Sequence, residues 1–146
     1  MQDVYLLQEI HQSAELGKAA AENALYHSAD PLFRNALHRQ CRHYQEIYST
    51  AANYLIARGI PPKSASPLRR LGCAAAAARH RSSSGMAAEM IRRQASELQK
   101  STQQIRGYKG NDLLVLSLAN ELKKTEERSI NEMKNFAQAR KETQSD

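Results

Sequence analysis

Glutamate and histidine are the residue types whose spacing in this sequence bears most directly on metal-dependent chemistry, because both ligate metal ions. Two metal ions held inside a helical bundle need a glutamate from each of two helices and a Glu-x-x-His pair from each of the other two. The three-residue spacing places both side chains of a pair on one helix face. The chain has five histidines: His11, His27, His38, His43 and His80. Since none follows residue 80, the remainder of the chain offers no imidazole ligand.

The glutamates do not complete such pairs. In the C-terminal part of the chain, the residue three positions after a glutamate is not histidine: Glu121 is followed by Lys124, Glu126 by Ser129 and Glu127 by Ile130. His43 precedes Glu46, which is the reverse order. The chain also lacks Gly-rich phosphate loops, a nucleophile elbow and Cys-x-x-Cys pairs. The sequence therefore predicts no catalytic residue and no cofactor.

A degenerate metal site stays open as an alternative. Five candidate ligands fall near the middle of their predicted helices, where a bundle would hold a metal ion: Glu15, His43, Glu46, Glu97 and Glu126. The competing interpretation is that these side chains flank the helix contacts and face water, as charged residues usually do.

Four long helices are predicted to position these residues, over residues 3–26, 31–58, 85–106 and 112–140, with a polar tail over 141–146. Asp30 and Pro31 supply an N-cap and a first helical residue. Gly59, followed by two prolines, ends the second helix, and Asn111 is expected to cap the fourth. The sequence thus favours an all-α four-helix bundle that forms one domain over residues 1–146.

Each predicted helix carries a seam, meaning a row of residues spaced alternately by three and four along one face. The first seam is Leu7, Ile10, Ala14, Gly17, Ala21 and Ala24, and the second is Phe33, Leu37, Gln40, Tyr44, Ile47, Ala51 and Tyr54. The third is Ala87, Ile91, Gln94, Leu98, Ser101, Ile105 and Tyr108, and the fourth is Val115, Leu118, Leu122, Thr125, Ser129, Glu132 and Phe136. The polar members of these seams favour a hydrogen-bonded core layer, with a small-ligand pocket as the alternative.

The connection over residues 59–83 is too long for a hairpin turn. It is predicted to contain a short helix over 67–80, with Ser66 as its cap and Pro67 at its first position. A bundle helix of about 25 residues is roughly 37 Å long at 1.5 Å per residue. Because a connection of this length reaches across that distance, the second and third helices can lie parallel.

A family resemblance rests on four stretches: Leu6-Leu-Gln-Glu-Ile10, Tyr44-Gln-Glu-Ile47, the Pro67-Leu crossover and Ala88-Glu-Met90. Over residues 4–137 the chain resembles a bacterial ferritin-like, rubrerythrin-like group of small proteins. The resemblance implies a ferritin-like bundle with an extra helix in its long crossover. It implies no particular activity, since the di-iron ligands are missing.

The charge of the chain is concentrated in one segment. Residues 58–93 carry eight bases and a single acid, whereas the whole chain has a net charge of +6. Six arginines are candidates for binding an anion: Arg69, Arg70, Arg79, Arg81, Arg92 and Arg93. A nucleic acid or an acidic protein is the partner that such a surface suggests. A solvated linker that keeps the protein in solution is the competing interpretation.

Other features of the sequence narrow the class of protein. No apolar run is long enough to span a membrane, and the N-terminal residues do not form a signal peptide, so a cytoplasmic location is expected. Cys41 and Cys73 are predicted as small buried thiols, with a disulfide left open. Small-residue faces, on the first helix or at Ala74–Ala78, suggest a homodimer. The function predicted is a non-catalytic interaction or structural protein, with a degenerate metal site or anion binding through residues 58–93 as alternatives.

Overall fold

The computed structural model describes residues 2–67 and 82–144, and within these ranges the chain forms four α-helices and no strands. They are α1 (Gln2–His27), α2 (Pro31–Ala57), α3 (Ser83–Gly107) and α4 (Leu113–Gln144). The all-helical prediction is confirmed for this part of the chain. The predicted crossover helix over 67–80 lies, apart from its first residue, outside the described residues.

Local hydrogen bonds explain where α2 begins and ends. The Asp30 side chain accepts a hydrogen bond from the backbone N–H of Leu32 at 3.1 Å, and Pro31 is the first helical residue. At the other end Gly59 adopts a φ of 71°. The backbone N–H groups of Gly59 and Ile60 then donate to the carbonyl groups of Ile56 and Leu55, which is a Schellman cap. Both predicted boundaries of α2 are confirmed to within a residue.

The last two helices differ in detail from the prediction. Ser82 caps α3 by accepting a hydrogen bond from the N–H of Gly85 at 3.1 Å. Asp112, and not Asn111, caps α4, because its carboxylate accepts from the N–H groups of Leu114 and Val115. Its side chain sits at the position from which an N-cap reaches those donors. The helix then continues to Gln144, beyond the end expected near residue 140.

Contacts between the helices establish their directions. Near its N-terminal end α1 contacts the C-terminal end of α3, where the Tyr108 hydroxyl donates to Asp3, and further along Ser13 bonds to Glu97. These two helices are therefore antiparallel. The end of α2 likewise meets the start of α4 through an ion pair between Arg58 and Asp112. Since α1 and α2 form one hairpin and α3 and α4 another, α2 and α3 run in the same direction.

Two apolar clusters fill the bundle, one toward each end. The first surrounds Leu7, Ile10, Leu55 and Leu122, and the second surrounds Phe33, Leu37, Met90 and Met133. In the second cluster the rings of Phe33 and Phe136 meet edge to face, with centroids 5.0 Å apart. Buried polar side chains separate the two clusters, so the middle of the bundle is its most polar internal layer.

The predicted seam of α4 is wrong at one position. Glu132 is partly exposed and pairs with Arg39 at 3.3 Å, while Met133 is fully buried in its place. The slip arises because a straight helix drifts relative to a strict seven-residue repeat. Across the described ranges, no helix combines the length and apolar character needed to cross a membrane.

Candidate functional site

The polar layer between the two apolar clusters is the strongest candidate for a functional site. All four helices contribute to it, through the side chains of Ser13 from α1, Gln40 and Tyr44 from α2, Arg93, Gln94, Glu97 and Ser101 from α3, and Thr125, Glu126 and Ser129 from α4. The side chains of Gln94, Glu126 and Tyr44 are among the most deeply buried in the chain. A polar group in such a position must find hydrogen-bond partners or lose free energy on folding.

Tyr44 occupies the α1–α2 side of this layer. Its ring lies directly against Gly17, where a Cβ atom added to the glycine would approach ring carbon Cε1 to 2.5 Å. Glycine at this position therefore makes room for the ring. Burial raises the pKa of Tyr44 to about 12, and the hydroxyl is hydrogen bonded to Ser129 of α4. The tyrosine remains protonated at neutral pH and ties α2 to α4.

Glu126 occupies the α3–α4 side and is only 1% exposed. Burial raises the pKa of its carboxyl group to about 7, and the charge of Glu97 acts in the same direction. Ser101 donates a hydrogen bond of 2.6 Å to its Oε1 atom, and the positive charge of Arg93 also opposes the rise. The group thus changes its charge near neutral pH inside the protein.

A pair of glutamines completes the layer. Gln94 Nε2 donates to Gln40 Oε1 at 3.2 Å, which links α3 directly to α2. The remaining polar atoms of this pair, Gln40 Nε2 and Gln94 Oε1, are buried without a hydrogen-bond partner, as is Nε of Arg93. Buried water molecules commonly satisfy atoms of this kind. The predicted hydrogen-bonded core layer is therefore present, and it is incompletely satisfied by protein atoms.

The residues of this layer do not fit the di-iron centre of ferritin-like bundles. Among the described residues only two carboxylates approach it, Glu97 and Glu126, and both come from the α3–α4 hairpin. The opposite side is filled by Gly17 and the Tyr44 ring, and Ser129 stands where a Glu-x-x-His pair would place histidine. Within the part of the chain that the structure describes, no three or more His, Cys, Asp or Glu side chains converge to hold a metal ion.

The other predicted metal ligands lie apart from this layer. Glu15 is buried on α1, but its carboxylate accepts a hydrogen bond of 2.7 Å from the N–H of Ala65 in the crossover. Glu46 is exposed on α2 and lines a surface groove, and His43 is partly exposed on the same helix. Of the five candidates, Glu97 and Glu126 are brought together, because the charge of Glu97 helps to raise the pKa of Glu126.

The structure describes two of the six arginines that were predicted to form a basic surface. Arg92 is exposed and pairs with Glu89 at 2.5 Å, one turn earlier on α3. Arg93 is partly buried, and its Nε atom lies in the internal polar layer, where its charge acts on Glu126. The remaining candidates, Arg69, Arg70, Arg79 and Arg81, lie outside the described residues.

Two further predictions concern small residues and thiols. The seam of α1, including Ala14, Gly17 and Ala21, is buried within the chain, so this face is not available for a homodimer. The alternative face at Ala74–Ala78 falls in the segment that is not described, as does Cys73. Cys41 is a free, half-buried thiol whose pKa burial raises to about 11.

A second polar row on α1 was missed by the sequence reasoning. Gln8, His11 and Glu15 are all buried, and each contacts the main chain of residues 61–65. Their spacing of three and four was the available signal, because each residue directly follows a member of the apolar seam. The side chains at these positions therefore face the same side of the helix as one another.

Comparison with known proteins does not assign the chain to a family. No family model matches the sequence, and neither the curated proteins nor the solved structures give a significant match.

Proposed function

We propose that this chain is a non-catalytic bundle of ferritin-like topology that acts as an interaction or structural protein. Its centre holds a hydrogen-bonded layer of side chains at the place where ferritin-like bundles would hold two metal ions. In support of the topology, the helices form two antiparallel hairpins whose middle helices run in the same direction. One long crossover between two short connections is the arrangement used by ferritin-like folds.

The observation that carries this proposal is the packing of Tyr44 against Gly17, opposite Glu126. The tyrosine ring fills the α1–α2 side of the centre, and its hydroxyl bonds to Ser129. On the other side Ser101 satisfies one oxygen of the Glu126 carboxyl group. A tightly occupied centre with two carboxyl groups is suited to holding four helices in register, and it offers too few ligands for two metal ions.

Elemental analysis tests the absence of a metal-dependent activity. The protein is purified without chelator and without a metal-affinity step, and iron, manganese and zinc are quantified per chain. We expect each metal well below one equivalent, and we expect thermal unfolding to be insensitive to added Fe²⁺, Mn²⁺ or Zn²⁺. Stoichiometric metal in the wild type that is lost in Glu126→Gln but retained in the exposed neighbour variant Glu127→Gln would overturn the proposal.

The interaction role is supported by a surface groove between α2 and α4. The groove has a volume of about 260 Å³. Half of its lining is apolar (Ile47, Tyr54, Leu114 and Leu118) and half is polar (Glu46, Thr50, Ser117 and Glu121). Leu114 is 60% exposed although it is large and apolar. Exposed apolar surface of this kind commonly marks a protein contact. We place the homodimer contact here, in place of the buried seam of α1.

Sedimentation velocity tests this contact as a function of protein concentration. We expect Leu114→Ser to weaken self-association, and we expect Leu32→Ser to leave it unchanged. Leu32 is a matched control because it is 71% exposed and lies at the opposite end of α2. A wild-type protein that stays monomeric at all concentrations, or an equal effect of both variants, would contradict a homodimer through the groove.

A further inference from the structure

The polar row on α1, formed by Gln8, His11 and Glu15, binds one short segment of main chain. It contacts residues 61–65, which begin the crossover from α2 to α3. Gln8 donates from Nε2 to the carbonyl of Pro61 at 3.0 Å and accepts at Oε1 from the N–H of Lys63 at 2.8 Å. His11 Nδ1 lies 2.9 Å from the Lys63 carbonyl, and Glu15 accepts from the Ala65 N–H at 2.7 Å.

These contacts form a ladder between α1 and a segment without regular secondary structure. Along α1 the three side chains are separated by three and then four residues, a rise of about 10 Å from Gln8 to Glu15. Residues 61–65 run in the same direction as α1, because Gln8 contacts residues 61 and 63, His11 contacts residue 63 and Glu15 contacts residue 65. The Lys63 side chain is exposed. The crossover is therefore held through its main chain, and we call residues 61–65 the latch.

His11 is the central contact of this ladder and the only imidazole in it. Because a carbonyl oxygen can only accept, Nδ1 carries the hydrogen in the bond to Lys63. The ring is 2% exposed and stacks on Tyr48 of α2, with ring centroids 4.3 Å apart. Burial lowers the pKa of His11, and its bond to the Lys63 carbonyl acts in the opposite direction.

Burial has the larger effect on the pKa of His11, and three groups face the ring. Tyr48 packs on one face of the ring from α2, the latch contributes the Lys63 carbonyl, and Glu15 follows one turn later on α1. The Oε2 atom of Glu15 accepts from the Ala65 N–H. A second proton on His11 places a positive charge in a layer closed over by the latch, and hydrating that charge requires the latch to move.

We propose that residues 61–65 form an acid-releasable latch, in which protonation of the buried His11 detaches the start of the crossover from α1. The neutral imidazole is compatible with the closed latch, and the charged imidazole favours the open one. Release frees the main chain of residues 61–65 from the side chains of α1. Acidification therefore detaches residues 61–65, including Lys63, while the four long helices stay folded.

Amide hydrogen exchange of the full-length protein tests the latch directly. The N–H groups of Lys63 and Ala65 report on it because they donate to Gln8 and Glu15. We expect their protection factors to fall as the pH is lowered from about 8 to about 5, after correction for the intrinsic effect of pH on exchange. The fall is at most about tenfold per pH unit, because one proton is taken up. Amides in the middle of α2 and α4 are expected to keep their protection. Protection of Lys63 and Ala65 that does not change across this range would overturn the proposal.

Three variants assign the response to His11. His11→Gln cannot titrate and is expected to abolish the pH dependence, whereas His43→Gln, on α2, is expected to retain it in full. Glu15→Gln keeps an acceptor for the Ala65 N–H, so the response should persist there. Loss of the response in Glu15→Gln with retention in His11→Gln would identify the wrong titrating group and refute the proposal.

A measurement on the wild type covers the case in which His11→Gln does not fold. The imidazole nitrogens of His11 are followed by NMR through the same pH range. The midpoint of the ring titration should coincide with the loss of protection at Lys63 and Ala65. A ring that titrates with these amides still protected would show that His11 does not control the latch.

Discussion

Glu126→Gln isolates the effect of the buried carboxyl group in the polar layer. The side chain is 1% exposed, and burial raises its pKa from an ordinary value of 4.5 to about 7. Glutamine has nearly the same shape and can still accept the hydrogen bond that Ser101 donates. The substitution therefore removes ionisation while it leaves the packing almost unchanged.

The sign of the effect follows from proton binding. Between about pH 4.5 and about pH 7 the folded protein keeps a proton that the unfolded chain has released, so its stability falls as pH rises through this window. The total loss is roughly 3 kcal/mol, since each pH unit of displacement corresponds to about 1.4 kcal/mol. We expect Glu126→Gln to match the wild type near the acidic end of the window and to exceed it by about 3 kcal/mol above pH 7.

Urea unfolding followed by circular dichroism measures this difference at about pH 5 and about pH 8, where most of the effect is contained. Glu127→Gln is the matched control, because Glu127 is exposed and adjacent on the same helix. It should change stability by nearly the same small amount at both pH values. If Glu126→Gln also shifts stability equally at both, the carboxyl group is hydrated in the folded protein and the reasoning fails.

Three further substitutions test the packing and the caps. Gly17→Ala should lower the free energy of unfolding by about 1–3 kcal/mol, because the new methyl group overlaps the Tyr44 ring, and chemical denaturation that shows no loss would contradict this contact. Asp112→Ala should cost about 1 kcal/mol in the same measurement, because it removes the cap of α4. Asp112→Asn should preserve most of the stability, and an equal loss in both variants would argue against capping. Phe33→Ala should cost about 3–5 kcal/mol, since the ring is fully buried against Phe136, and a loss below about 1 kcal/mol would show that the second apolar cluster does not support the fold.

The helices were predictable because their seams and caps are local features of the sequence. Every predicted seam residue of α1 is buried, and Asp30 and Gly59 form the caps that their residue types favour. The seam also placed Gln40, Gln94, Ser101, Thr125 and Ser129 correctly inside the bundle. Periodicity is sufficient at these positions since it specifies which side of a helix faces its neighbours.

The position of Glu126 was not predictable from its seam alone. It directly follows Thr125, and a charged residue at the edge of a seam is usually exposed. Its burial depends on Ser101, which lies in a different helix and supplies a hydrogen bond across the interface. A single-sequence pattern contains no information about which residues of two helices stand opposite each other.

The latch escaped prediction for a related reason. Gln8 and His11 bind main-chain atoms of residues 61–65, and every residue type offers a carbonyl group there. The crossover sequence therefore carries no side-chain signal of the contact. Only the repeated polar row on α1 indicated that something other than solvent covers this side of the helix.

The parallel arrangement of α2 and α3 has a consequence for how the two hairpins find each other. Each hairpin closes over a short loop, whereas joining them requires residues 58–82 to reach along the length of the bundle. The 25 residues of α3 span about 37 Å, so a connection shorter than roughly 11 extended residues could not make this link. Below that length, the hairpins of one chain can pair only with those of a second chain, and the protein becomes a domain-swapped dimer. The length of the crossover thus sets whether assembly is intramolecular.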